Sequence, residues 1–232
     1  IMKKILKGIG LVLSGMLIIL LILAGVTGIQ GYQQYQQVIQ QEPIEQKVSQ
    51  IQEDENYTEI EEISEHFKQA LIAVEDHRFY THSGFDVLTT TRVMFENLFH
   101  MSLDAGGSTI TQQLARNFYF TQDKLFTRKV AELFVAFDIE EQYSKNEILE
   151  LYMNIIYFGN NCYGIKEAAE FYYNKQPSEL TLEESTYLAG LPQAPSVYSQ
   201  DDVKGQQRQK QVTDAMVKYH YLTQEEADEI TG

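Results

Sequence analysis

The chain has 232 residues, 44% apolar and 22% charged, enough for one sizeable domain with a short appendage. Its 33 acidic residues outnumber 18 basic ones, a net charge of −15 that argues against nucleic acid as a partner. The single cysteine, Cys162, excludes an intramolecular disulfide.

In chain order, no acid precedes Glu42, and Lys3, Lys4 and Lys7 are the only bases before Lys47. Residues 9–28 are almost wholly apolar, and about 20 helical residues at about 1.5 Å each cross a bilayer core. A cleaved signal peptide would have a shorter apolar region of about 7–15 residues and a small-residue cleavage site, for which Ala24-Gly25-Val26 is a poor match. An uncleaved single-pass transmembrane helix over residues 8–29 is therefore expected, after a basic N-terminus at 1–7. Three lysines before the span and none just after it place the N-terminus in the cytoplasm and the remainder outside. Residues 30–58, rich in glutamine and broken by Pro43, read as a stalk or linker without chemistry. Residues 59–232 are left as the extracytoplasmic domain.

That domain is predicted to be mainly α. Ser64 stands to cap a helix whose apolar positions Phe67, Ala70, Leu71 and Val74 fall at i, i+3, i+4 and i+7. The spacing recurs at Val130, Leu133, Phe134 and Phe137, at Ile148, Leu151, Tyr152 and Ile155, and at Val212, Ala215, Met216 and Tyr219. Capping boxes pair Ser144 with Glu147, Thr181 with Glu184 and Thr223 with Glu226. Gly159 and Gly190 stand where helices should stop, and residues 191–195 form a Pro-rich rigid connection. No strand alternation exceeds four residues, which leaves room for a short hairpin only. Residues 93–103 are more apolar than one helix stripe requires, which fits either core packing or a membrane-facing surface.

The stretch 106–117 is Gly-Gly-Ser-Thr-Ile-Thr-Gln-Gln-Leu-Ala-Arg-Asn. Its two glycines permit a tight backbone approach, and Ser108 occupies a helix N-cap position. With Ile110, Leu114 and Phe118 as the apolar stripe, the other face is built of neutral donors and acceptors. Such a face suits a ligand rich in hydroxyls and phosphate oxygens; a plain capped surface helix is the competing reading.

Glu75 closes a predicted helix and Asp76 follows directly. The negative end of the helix dipole and a second carboxylate both disfavour the charged form and raise the pKa toward the range a general base needs. Arg116, Lys124, Arg128 and Lys129 lie within fourteen positions, opposed only by Asp123. Arg128 and Lys129 open a predicted helix capped by Thr127, where cations are unfavourable unless an anion joins them. A pyrophosphate is the natural candidate. Glu132 either orients these bases or manages leaving-group charge, directly or through a divalent metal. His77, His82 and His100 lack metal-ligand spacing, so any metal would be a hard cation bound jointly with phosphate oxygens.

Three blocks in order (residues 75–86, Glu-Asp-His-Arg-Phe-Tyr-Thr-His-Ser-Gly-Phe-Asp; the glycine-led stretch 106–117; and 128–132, Arg-Lys-Val-Ala-Glu) resemble the peptidoglycan glycosyltransferases of lysozyme-like family 51. The resemblance extends from about residue 64 onward. It implies a two-lobed, lysozyme-like helical domain with a cleft, which joins lipid II into β-1,4-linked glycan strands with the growing chain as donor. It implies Glu75 as base, with Glu132 in the catalytic centre. Ser108, Thr109, Gln112, Gln113, Arg116, Asn117, Lys124, Arg128 and Lys129 would hold the departing undecaprenyl pyrophosphate. Asp76, Phe79, His82 and Asp86 fall in the same pattern as supporting residues. Residues 145–159 resemble the family's fourth motif, with Asn154 the polar contributor, and 208–216 match the fifth weakly. Arg116 stands where many relatives carry lysine, which keeps charge but substitutes a planar fork.

The resemblance implies no required cofactor, although a Mg or Mn ion is compatible with it, and implies the bacterial membrane and cell-wall synthesis proteins as partners. With no Ser-x-x-Lys before Gly232, a monofunctional transglycosylase is expected. A membrane-anchored lytic enzyme using Glu75 as general acid, or an inactive wall-binding module, are the alternatives.

Overall fold

A single helix, α1 (Met2–Gln41), opens the chain in a computed structural model that describes residues 2–100, 107–120 and 126–231, with side chains over 10–93, 107–120 and 126–230. Residues Gly10–Gln41 are long and apolar enough to cross a membrane, and none of their most apolar window is buried. The helix runs past the expected boundary at residue 29 because glutamines sustain it and the first breaker is Pro43.

The expected stalk is largely docked on the domain. Tyr32 and Tyr35 pack on Phe134, and α2 (Ile44–Gln52) buries Ile44 and Val48 in the main core. This i, i+4 apolar pair supplies a buried stripe that the glutamine-rich composition obscures.

The remaining helices are α3 (Glu65–Glu75), α4 (Val87–His100), α5 (Ile110–Tyr119), α6 (Phe126–Gln142), α7 (Lys145–Ile155) and α8 (Gly164–Tyr173). After them come α9 (Leu182–Gly190), the short α10 (Pro195–Tyr198), α11 (Asp202–Lys218) and α12 (Gln224–Thr231). Among the described residues, extended pairing is limited to isolated bridges between Ser83 and Phe85 and between Tyr157 and Tyr163. Helix α5 lies between α6 and α7, while α3 packs on α9 and α11. Phe67, Leu71, Ile110, Leu114, Ile139, Tyr152 and Met216 fill the core between them.

The three predicted capping boxes form. Ser64 does precede α3, but its hydroxyl donates to the Leu180 carbonyl instead of capping the helix. Thr127 lies inside α6, one residue past its first. Gly190 ends α9 without a left-handed turn, and the chain continues into a 3-10 turn at Leu191–Gln193. Gly159 follows α7 at φ +85°, where a side chain would collide with Ser199.

The stripe expected to turn α6 inward faces elsewhere. Its core side is Ala131, Val135, Ala136 and Ile139, whereas Gly31 of α1 lies against Val130, Tyr32 and Tyr35 lie against Phe134, and Phe137 is exposed. Of the apolar run 93–103, Val93 is buried and the side chains of 94–103 lie outside the described residues.

Candidate functional site

Helix α3 delivers Glu75 at its last residue, half-buried. The Gln113 amide donates to Glu75 Oε2 at 2.8 Å, and the Tyr152 hydroxyl donates to Gln113 Oε1 at 3.0 Å. Tyr152 is fully buried; burial first, then the charge of Glu75, hold its phenol well above its ordinary value. It therefore stays a donor and fixes which way the Gln113 amide points. On the other side Arg208 approaches Glu75 Oε1 at 3.6 Å.

Asp76 is committed elsewhere. Its carboxylate accepts the Ile110 backbone N–H at 3.0 Å, at the positive end of α5, and contacts His82 Nε2 at 2.9 Å. The expected pairing of Asp76 with Glu75 is thus replaced by a brace between α3, the 82–84 turn and α5. Phe79 is a fully buried core residue with Lys145 Nζ 4.4 Å above its ring. Asp86 caps α4 through the Leu88 and Thr89 N–H groups, both at 3.0 Å, and pairs with Arg78 at 3.0 Å.

The neutral polar face of α5 is used mostly inside the protein. Thr109, not Ser108, is the N-cap, and it forms a reciprocal capping box with Gln112. Its hydroxyl also donates to the Gly84 carbonyl at 2.7 Å, and both Thr109 and Gln112 are buried. Thr111 donates to Glu140. Ser108 is free of capping and instead accepts from Lys129 Nζ at 2.7 Å. Asn117 is exposed in the last turn of the helix, and Arg116 is half-buried. Gly107 is not backbone-strained, and Gly106 lies outside the described residues.

Glu132, 1% exposed, gathers the bases of α6: Arg128 Nε lies 2.9 Å from one oxygen and Lys129 Nζ 3.1 Å from the other. Burial lowers the Lys129 pKa from its ordinary value; Glu132 opposes the shift, and Arg116 and Arg128 add to it. Lys129 and Arg116 thus share one electrostatic neighbourhood, and Arg116 and Glu75 both act on Tyr152. Lys124 lies outside the described residues. A divalent ion at Glu132 fits poorly, since both oxygens already face cations. Among the described residues, no three His, Cys, Asp or Glu side chains come together as ligands.

Two recesses flank α4. One, of about 310 Å³, is lined by Glu75, His77, Thr89, Arg92 and Tyr219. The other, of about 920 Å³, is lined by Thr90, Val93, Ser108, Gln112 and Lys129, with Leu20, Leu23 and Ala24 of α1 as an apolar wall. Glu75 and Lys129 therefore open into different recesses, one on each side of α4.

Two further residues matter. Arg208, 8% exposed, donates to the Gly190 carbonyl at 3.2 Å and to Gln211 at 3.0 Å besides facing Glu75. It sits one turn before Val212 on the buried stripe of α11, and a charge on such a stripe is the signal that marks it. Asn154 serves structure: its side chain bonds the Thr58 N–H and carbonyl at 2.8 and 2.9 Å, holding the segment after α2.

The family described as Transglycosylase matches residues 40–217, which include α2, the acid, the bases and Arg208. The chain belongs to this family. This transglycosylase is 43% identical over 175 residues to penicillin-binding protein 1A of Neisseria lactamica, covering 75% of this chain and 22% of that protein. It is 41% identical over 170 residues to penicillin-binding protein 1F of Bacillus subtilis, covering 72% of this chain and 24% of that protein. The transglycosylase thus spans under a quarter of the length of these relatives. A crystal structure of penicillin-binding protein 1A from Haemophilus influenzae, 32% identical, covers 53% of this chain and 15% of its own at a TM-score of 0.36, too partial a superposition to bear on the fold.

Proposed function

We propose that this transglycosylase polymerises glycan strands of peptidoglycan from lipid II by inverting transfer, with the growing lipid-linked chain as donor. The observation that carries the reading is a carboxylate, Glu75, joined through α5 to a cluster of bases at Arg116, Arg128 and Lys129. Glu75 takes the proton of the acceptor 4-hydroxyl as its oxygen bonds to the donor's anomeric carbon. The bond from that carbon to pyrophosphate breaks, and the electron pair leaves on the pyrophosphate. Arg116, Arg128 and Lys129, with the Ser108 hydroxyl, hold that charge; Asn117 and Lys124 are proposed at its margin. Glu132 keeps Arg128 and Lys129 in place, and no step needs a metal.

Helix α1 anchors the domain to the bacterial membrane with the N-terminus in the cytoplasm and the catalytic domain outside, as the three leading lysines favour. Cell-wall synthesis proteins are the proposed partners. Purified full chain incubated with lipid II, and separately with finished cell wall, tests the reading. Polymer from lipid II, lost in Glu75→Gln, supports it; soluble fragments from wall without polymer would replace it with the lytic alternative.

A further inference from the structure

Helix α1 does more than meet α6 at an arbitrary height. At Gly31 a Cβ atom would lie 2.5 Å from Val130 Cβ and 2.8 Å from the Thr127 carbonyl oxygen. Neither neighbour can give way: one is the branch point of a β-branched residue and the other is backbone. Below this contact, Tyr32 meets Phe134 edge-on at 5.2 Å, and the Tyr35 hydroxyl donates to Asp138 Oδ2 at 2.5 Å. Residues 31 and 35 of α1 and residues 127, 130, 134 and 138 of α6 thus form one continuous seam at helical spacing.

The touched backbone is that of Thr127, which leads directly into Arg128 and Lys129. The opposite side of α6 is fixed by Ala131, Val135 and Ala136 in the core, none with measurable exposure. A side chain at residue 31 therefore presses on the first turns of α6, which carry the bases, while the Tyr35–Asp138 latch opposes the retreat of α1.

We infer that Gly31, with the Tyr35–Asp138 latch, is a positioning element for the anion-holding residues Arg128 and Lys129. The anchor helix thereby sets the geometry of the site as well as its distance from the membrane. The inference rests on the proposed anion site.

Full chain in detergent micelles, titrated with farnesyl pyrophosphate and with farnesol as the control, separates the two. Gly31→Ala should weaken farnesyl pyrophosphate binding about tenfold, leave farnesol binding unchanged and keep the helical content. In a Lys129→Ala background the same substitution should cost less than it does in the parent, because one of the two groups it positions is already gone. Tyr35→Phe, which keeps the ring and removes only the latch, should show a smaller loss with the same coupling. Should Gly31→Ala fail to fold, the Tyr35→Phe result decides. If Lys129→Ala alone leaves binding unchanged, the anion-site reading fails. If Lys129→Ala weakens binding but Gly31→Ala and Tyr35→Phe do not, or if their losses simply add to its loss, the positioning role is overturned.

Discussion

Gln113 donates to Glu75 Oε2 at 2.8 Å, and this contact joins the proposed general base to the helix that also carries Arg116. Because Tyr152 orients the amide from below, the state of Glu75 depends on a residue with no exposure of its own. Glu75→Gln should abolish polymerisation while leaving the thermal midpoint near that of the parent. Turnover retained in that variant would move the base elsewhere.

Tyr152→Phe leaves Gln113 Oε1 without its donor in a buried place. A stability loss of about 1–3 kcal/mol is expected. The amide then becomes free to flip, so kcat should fall several-fold with little change in KM. A loss confined to stability would show that the amide needs no guide.

Arg128→Ala and Lys129→Ala each remove a proposed charge-assisted contact to phosphate. Affinity for pyrophosphate-bearing substrates should drop about 10- to 100-fold, corresponding to about 1.5–3 kcal/mol per contact. Binding of sugar fragments without phosphate should change far less. Equal losses on both ligands, measured by calorimetry, would contradict the proposed division of labour.

Lys129 also predicts a pH effect. Its pKa is lowered, chiefly by burial, so its charge is lost at a lower pH than for an ordinary lysine. Pyrophosphate affinity should therefore decline on the alkaline side before pH reaches the ordinary value of 10.5. In Lys129→Arg, whose charge persists, that decline should disappear.

At Asp86 the sign is opposite. Burial raises its pKa, but the hydroxyl and N–H of Thr89 and the charge of Arg78 outweigh burial and lower it below the ordinary 3.8. The stabilisation is then present above about pH 4 and lost as pH falls through the lowered folded value. Asp86→Asn should cost about 1 kcal/mol at neutral pH, and its deficit in thermal midpoint should shrink toward pH 3. A deficit that stayed constant with pH would remove charge from the account.

Much of the fold was legible from periodicity. The stripes of α3, α7 and α11 and all three capping boxes follow directly from their spacing, because local sequence alone decides them. Helix α6 misled, since large residues mark its anchor-facing side while alanines mark its core side. Residue size is a poor guide where two helices approach closely. At the site, the sequence brought forward Glu75 and the bases around Glu132, but it did not reveal that Thr109 and Gln112 complete a cap. It placed Arg208 only in a weak motif match: a charge on the buried stripe of α11 marks the residue, but its meeting with Glu75 joins residues far apart in the chain.

Helix α1 continues without a break from Met2 into the seam with α6. With its first part in a bilayer, such a rod acts as a lever arm. A membrane too thin or too thick for its apolar length would tilt it, and the tilt would load the contact of Gly31 with Val130 and the first turns of α6. On the proposed membrane topology, bilayer thickness would join substrate supply as a variable to which turnover is mechanically exposed.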